Sequence, residues 1–452
     1  MKTKHYNVFV IGSGIAGKTV AETCAKNKLT VGITDNREYG GTCANRGCDP
    51  KKVMLQFSAL LEQSKRLNNL GVSKLPEINW KQVQNFKTEF TQKVPVSTEE
   101  HLKKLNIDLY HQSPVFISEN KIIVEGITIT ANYFVIATGQ IPRTLNIKGK
   151  KYLETSDAIL DLEKVPKSAS FIGAGYIGME FATMLAVLGC NVTVFEYADS
   201  ALLNFDSFLV EKLIAKMEKL GVAFIFNAEV AAIEKRTKNI RIKYTINGSK
   251  KRHKSRHVFN TGGRVPSIST LKLENANVDF DERGIIVNDF LQSKTNKKVY
   301  ACGDVSNLSL PLTPLSGLQG SIVSENIING NKKEFQFPLV PSTVFTQPNL
   351  STVGLSEAEA KNRYKKVLIF KGDAQEWFNA KKGNEDTYAY KILANERTGE
   401  IVGAHILGHE ANENINLLTV AINNKMTVSE FKRMIFTYPS YSNDLKYMLA
   451  NK

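Results

Sequence analysis

The sequence predicts an α/β protein with two parallel-sheet units followed by a C-terminal α+β segment. Three observations carry that reading. Two stretches run as strand, glycine loop and helix. An acidic residue follows each at the same offset. From residue 336 onward the pattern changes to mixed strands and helices behind Pro338 and Pro341. The length of 452 residues is about three times the ~150-residue prior for one domain, so several domains are expected. Hydrophobic residues make up 42% and charged residues 23%, which excludes wholesale disorder.

The first unit opens with the apolar strand Tyr6-Asn7-Val8-Phe9-Val10-Ile11. The loop Gly12-Ser13-Gly14-Ile15-Ala16-Gly17 follows, then a helical run to Lys26, a short strand from Leu29 to Ile33, and Asp35. The second repeats the order: Ser170-Phe171-Ile172, then Gly173-Ala174-Gly175-Tyr176-Ile177-Gly178, a helix from Met179 to Leu188, and Gly189 as its C-cap. A strand from Asn191 to Phe195 and then Glu196 complete it. Each acid stands 23 residues past the first glycine of its loop (12 to 35, and 173 to 196).

The spacing has a physical reason. The first glycine permits a tight turn, the second lets backbone approach a pyrophosphate, and the third lets helix and strand pack closely. The helix N-terminus faces the phosphates. The acid accepts hydrogen bonds from a ribose hydroxyl. One such motif is weak, but two in the correct context predict two dinucleotide sites.

Between and beyond these units, residues 62–111 carry long helical patterns, and residues 115–129 alternate like antiparallel strands around a Glu125-Gly126 turn. The balance of 59 Lys and Arg against 44 Asp and Glu gives a net charge of +15. Its densest cluster, Lys250-Lys251-Arg252-His253-Lys254, reads as a hairpin turn and outgoing strand with few aromatics. It is taken as a solubilising surface, with no nucleic-acid partner. No run approaches the ~18–20 apolar residues of a membrane span. The N-terminus enters a strand directly, without a secretory cleavage site. A cytoplasmic location without a membrane partner is the expectation.

Gly40-Gly41-Thr42-Cys43-Ala44-Asn45-Arg46-Gly47-Cys48-Asp49-Pro50-Lys51-Lys52 follows the first acid and runs into a helical stretch from Lys52 to Leu70. Two free thiols, half of a zinc site and a reversible disulfide all fit two cysteines at this spacing. Zinc would want further Cys or His ligands nearby, and no metal is assigned. Cys24, Cys190 and Cys302, the rest of the five cysteines, are isolated in core-like patterns. A reversible disulfide fits better. Pro50 suits a first helical turn, which puts Cys48 where the helix dipole and Lys51 and Lys52 favour a thiolate, with Asp49 opposing.

With these segments the chain resembles the two-dinucleotide flavoprotein disulfide reductases, the class I pyridine nucleotide-disulfide oxidoreductases that include glutathione, mercuric and dihydrolipoamide enzymes. Thr130 to Gly139 and Val258 to Pro266 resemble the family's two crossing segments, and Thr295 to Asp304 its second flavin motif, with Leu312-Thr313-Pro314 beyond. The resemblance implies two Rossmann-like domains, binding FAD and NAD(P), and a C-terminal α+β dimerisation domain. The boundaries are 1–145 and 265–335 for the FAD-binding parts, 146–264 for NAD(P) binding and 336–452 for the homodimer interface.

The resemblance also implies residues. FAD is expected against Gly12, Gly14, Ala16, Gly17 and Asp35, against Gly41, Thr42 and Lys52, and against Thr138, Gly139, Gly303 and Asp304. The nicotinamide nucleotide is expected against Gly173, Gly175, Tyr176, Ile177, Gly178, Glu196 and Gly263. Cys48 becomes the flavin-facing thiol and Cys43 the one that attacks substrate. Lys52 and Glu180 align with a family ion pair, and Tyr176 with its nicotinamide gate. Glu196, with no arginine after it, favours NADH over NADPH.

One departure stands out. The family places a His, and a Glu five residues on, near its C-terminus, whereas here Tyr438 and Asn443 occupy those positions and Asp444 is displaced by one. Tyrosine, with an ordinary pKa of about 10, donates protons at neutral pH but accepts them poorly, unlike histidine near ~6.5. The function expected is electron transfer from NADH through FAD and Cys43–Cys48 to a small disulfide or thiol-reactive oxidant. The alternative is a flavin reductase of quinones, metal ions or oxygen in which the cysteines are optional.

Overall fold

The computed structural model describes residues 2–450. The chain divides into two compact units. The first comprises Met1–Val53, Gln84–Arg143 and Gly263–Phe337, and the second Met54–Val83, Thr144–Gly262 and Pro338–Lys452.

The first unit is built on a seven-stranded sheet. Its strands lie in the order Asp108–Tyr110, Val31–Thr34, Thr3–Ile11, Ile127–Ile136, Lys121–Val124 and Val115–Ser118, and Val299–Ala301 adds to Ile127–Ile136. Thr3–Ile11 sits centrally, parallel to both neighbours, with Ile11 opposite Thr34 on one side and Ile136 on the other. Val8 to Ile11 are buried on both faces, as the unbroken apolar run requires of a covered parallel strand. Phe9, Tyr110, Phe134 and Phe116 form a chain of ring contacts at 5.4–6.3 Å in this core. The Glu125-Gly126 turn is a two-residue hairpin loop with φ of 50° and 71°, the positive pair a type I′ turn needs.

Three local expectations shift. The second strand is Val31–Thr34, two residues later than its start in the pattern. The helix behind the cysteines runs Cys48–Arg66, because Pro50 supports its first turn and Asn69 and Gly71, both at positive φ, reverse the chain after it. Of residues 62–111, Trp80–Thr91 and Val94–Lys104 are helical, but Asp108–Tyr110 is a strand paired to Gly32–Thr34. That pairing is long-range and overrides the local helical pattern.

The second unit carries a four-stranded parallel sheet in the order Val222–Ile225, Asn191–Phe195, Ser168–Ile172 and His257–Asn260. The helix Tyr176–Val187 is buried from Gly178 onward, and Gly189 ends it at φ 91°. An antiparallel sheet of Glu229–Lys235, Ile240–Ile246 and Ser249–Ser255 flanks this layer, and the basic cluster lies on its last strand, after an Asn247-Gly248 turn. The C-terminal part forms a five-stranded antiparallel sheet in which two of the three inner strands, Ala389–Asn395 and Ile401–Gly408, are buried throughout. Helices Ala411–Asn423 and Tyr441–Met448 belong to this part. The fold is the α/β and α+β combination the sequence predicts. Among the described residues no helix is long and apolar enough to cross a membrane.

Candidate active site

The first glycine loop is shaped by contacts that side chains would block. Gly12 has φ +110°, and a Cβ there would collide with the Ala137 carbonyl. A Cβ on Gly17 would strike Gly12 and lie 3.1 Å from Val10 Cγ1, so this glycine sets how closely helix Ile15–Lys26 packs on its strand. Gly14 caps that helix without any side-chain hydrogen bond. Gly41, at φ +74°, passes so close that its Cβ would fall 2.5 Å from Gly14 Cα. The Asp35 carboxylate Oδ2 accepts from the Ser13 amide at 2.8 Å and the Ser13 hydroxyl at 2.7 Å, pinning the loop to the end of its strand.

The rest of the first-unit set gathers at the same sheet end. Thr138 has a buried hydroxyl with no hydrogen-bond partner in the described structure, and Gly139 follows at φ 64°. Ala16 abuts Gly303, whose Cβ would meet it at 3.1 Å, and the Gly303 amide donates to Gln319 Oε1 at 2.8 Å. Asp304 Oδ1 accepts from the Ser316 hydroxyl at 3.1 Å, and burial pushes this carboxyl up from its ordinary range. Cys302 is fully buried and its thiol is pushed up to about 12, as suits an inert core residue. A side-chain-free cradle, a helix N-terminus without a cap and an orphaned buried hydroxyl are what a dinucleotide pyrophosphate would complete, so these residues fit FAD.

The second unit repeats the cradle. Gly173 has φ +106°, with a Cβ position 2.5 Å from the Thr261 carbonyl, and a Cβ on Gly178 would lie 2.8 Å from Thr261 Oγ1. Gly175 caps helix Tyr176–Val187 without a side-chain bond, and space is open beside it. Glu196 Oε2 accepts from the Ala174 amide at 2.6 Å, and Oε1 from the Ala198 amide at 3.0 Å. A cleft of about 250 Å³ is lined by Ala174, Gly175, Tyr176, Glu196, Leu203 and Phe205 among others. Ile177 is half-buried behind Tyr176. Gly263 follows Gly262, whose Cα a Cβ on Gly173 would meet at 2.7 Å. It belongs to the first unit, where its carbonyl accepts from the Arg143 amide at 3.0 Å. Glu180 is 1% exposed, and its Oε1 accepts from the Phe345 amide at 2.9 Å.

The cysteines lie in the first unit. Gly40 and Gly41, both at positive φ, turn the chain into the short helix Gly41–Arg46, which carries Thr42 and Cys43, and Gly47 leads into helix Cys48–Arg66. Asn45 Nδ2 holds the turn by donating to the carbonyls of Tyr39 at 2.9 Å and Gly41 at 3.0 Å. The two thiols are not equivalent. Cys43 donates to Cys48, and that bond, with the charges of Lys51 and Lys52, brings the Cys48 thiol down to about 6. The same bond pushes Cys43 well up, and burial and the charge of Asp49 add to it. Asp49 Oδ1 lies 3.8 Å from Cys43 Sγ, a second acceptor for the same thiol proton.

Thr313, the first residue of helix Thr313–Asn329, stands beside the pair, and its hydroxyl lowers both thiols. Sequence reasoning had Thr313 only as part of a matching segment. Its signal was its place at the start of a helix, behind the second flavin motif.

Tyr438 lies in the second unit and is 69% exposed, with its ring stacked on the exposed Phe378 at 6.3 Å and 29°. Asn443 and Asp444 do not accompany it into solvent. The Asn443 amide donates to Ser440 Oγ at the start of helix Tyr441–Met448. Asp444 is buried, accepts from Asn379 Nδ2 at 3.0 Å and Tyr388 OH at 3.5 Å, and is raised by that burial.

The two glycine-loop cradles and the sorted thiol pair define a flavoprotein disulfide reductase. Residues 6–320 match the pyridine nucleotide-disulphide oxidoreductase family and residues 340–449 its dimerisation domain, and the chain belongs to that family. It is 30% identical to a glutathione reductase of Nostoc over 99% of this chain and 100% of that protein. It is 29% identical to a mercuric reductase of Lysinibacillus sphaericus over 98% and 82%. Among solved structures it superposes on RclA of Escherichia coli, an HOCl-induced flavoprotein disulfide reductase in a Cu(II) complex. The TM-score is 0.86 at 26% identity, covering 97% and 98% of the two chains. The protein is thus an NAD(P)H-dependent flavoprotein oxidoreductase of the disulfide-reducing class, in a family that is FAD-dependent.

Proposed function

We propose that this enzyme takes electrons preferentially from NADH and delivers them through Cys43 and Cys48 to a small disulfide or thiol-reactive oxidant. The observation that carries the reading is the sorting of the two sulfurs, Cys48 toward thiolate and Cys43 toward thiol. FAD, when bound, accepts a hydride from the reduced nicotinamide and passes two electrons to a disulfide.

The chain's residues supply the rest. Residues 1–145 and 265–335 hold the flavin, with Gly12, Gly14, Gly17 and Gly41 admitting its pyrophosphate and Asp35 and Asp304 taking its hydroxyls. Residues 146–264 hold the nicotinamide nucleotide, and Tyr176 covers the cleft beside Gly175. Glu196 has lone pairs beyond its two amide bonds for a ribose hydroxyl, and its charge repels a 2′-phosphate. Lys51 and Lys52 stabilise the Cys48 thiolate. Reduction of the pair then takes two electrons and one proton, which stays on Cys43. Residues 336–452 make a homodimer in which Tyr438 of a second copy covers the cysteine site. Tyr438 there offers its hydroxyl to orient bound substrate, in place of the family's His–Glu pair.

A second reading rests on the likeness to RclA in its Cu(II) complex, which favours a metal ion as the electron acceptor. Anaerobic titration with NADH, with absorbance and free thiols followed together, tests the first reading. Two new thiols and a long-wavelength thiolate-to-flavin band support it, and flavin bleaching without new thiols refutes it. Cys43→Ser then separates the readings, since only the second keeps turnover.

A further inference from the structure

We propose that the Asp49 carboxylate is the proton carrier of Cys43, taking the thiol proton as Cys43 attacks an oxidant and returning it to the departing thiolate. The inference rests on the dithiol reading above. It starts from the hydrogen bond of 3.8 Å from Cys43 Sγ to Asp49 Oδ1. Asp49 is the second residue of helix Cys48–Arg66 and is exposed, with its carboxylate at the positive end of that helix. The other groups acting on Cys43 are its Cys48 neighbour and the Thr313 hydroxyl. Lys51 and Lys52 act on Cys48 and carry no acceptor. The C-terminal segment offers no substitute base, because Tyr438 is a phenol and Asp444 is buried against Asn379 and Tyr388.

The step balances for a small disulfide. The Cys43 S–H bond breaks as the new S–S bond to one substrate sulfur forms, and the proton moves to Asp49. The second substrate sulfur leaves as a thiolate and takes that proton back, giving a thiol and a regenerated carboxylate. The Cys48 thiolate then displaces the first sulfur, reforms the Cys43–Cys48 bond and releases a second thiolate to solvent. Asp49 also raises the thiol it serves, so its charge and its proton transfer act in opposite directions on Cys43. That opposition makes the proposal testable.

The test uses NADH-reduced holoenzyme, with Asp49→Asn and Asp49→Glu as variants. Three readouts are needed: alkylation of Cys43 by iodoacetamide at neutral pH, turnover of bis(2-hydroxyethyl) disulfide, and turnover of 5,5′-dithiobis(2-nitrobenzoate). The last releases a thiolate that needs no proton. Asp49→Asn should speed alkylation while slowing the hydroxyethyl disulfide by about 10²-fold, the lower range for a lost acid–base group. It should slow the aromatic disulfide distinctly less, because that substrate needs only the removal of the Cys43 proton and not its return, and Asp49→Glu should keep most of both rates. If Asp49→Asn speeds both disulfides along with alkylation, or leaves both unchanged, Asp49 is only an electrostatic neighbour and the proposal fails. If Cys43→Ser retains turnover of both, the dithiol reading itself has failed.

Discussion

Glu196 accepts the amide hydrogen of Ala174 at 2.6 Å, so one carboxylate closes the second glycine loop and stands at the cleft where a ribose would lie. Asp35 and Ser13 make the same bond in the first unit, at 2.8 Å. Glu196→Ser removes the charge and its ribose acceptor. A hydrogen bond to a charged group is worth about 1.5–3 kcal/mol, so kcat/KM for NADH should fall about 10–100-fold. The value for NADPH should rise at the same time. Steady-state assays with both nucleotides decide it, and an unchanged ratio would show that Glu196 does not select the nucleotide.

The Cys48 thiol gives a pH prediction with a definite sign. Folding depresses it to about 6, mainly through the bond from Cys43 and then through Lys51 and Lys52. The reduced protein therefore gains full stability from this group above the ordinary thiol range of ~8.5 and loses it as pH falls through about 6. Alkylation of Cys48 should follow the same curve, with a midpoint near 6. Thr313→Val removes a hydroxyl that lowers both thiols, so the midpoint should move upward, and Thr313→Ser should leave it in place. A midpoint unmoved by Thr313→Val would remove Thr313 from the site.

Gly41→Ala tests the cradle. Its Cβ would sit 2.5 Å from Gly14 Cα, backbone against backbone, at a φ of +74°. Strain of this kind costs on the order of 1–3 kcal/mol, and here it falls on the first glycine loop. Flavin content after purification should drop well below one per chain, with a lower Tm. Full flavin content at an unchanged Tm would mean that the loop has more room than the contact implies.

Tyr438→His returns a residue that trades protons near neutral pH. Turnover of an alkyl disulfide should rise, and its pH profile should gain a limb near ~6.5. Tyr438→Phe should lower turnover and leave the Cys48 midpoint where it was. Identical profiles for all three proteins would place Tyr438 away from the bound substrate.

Much of the molecule was legible in its sequence. The two glycine loops and their acids are local patterns, and local patterns fix strand, turn and helix start. Pro50 marked the helix that presents Cys48, and Glu125-Gly126 marked its hairpin. What was not legible comes from contacts between distant parts of the chain. Nothing near Thr313 indicates that its hydroxyl meets Cys43 and Cys48. Asp108–Tyr110 lies in a helical pattern and becomes a strand only because Gly32–Thr34 offers an edge. Asp49 reads from sequence as opposing a thiolate. Only the geometry shows that it faces Cys43 rather than simply weakening Cys48.

The near-touching backbones of Gly14 and Gly41 bear on how the enzyme is made as well as on how it works. One half of that contact belongs to the first glycine loop, and the other begins the short helix bearing Cys43. Ordering either half orders the other, so a dinucleotide bound on the loop would also set the helix that carries Cys43, and the two events would be thermodynamically linked.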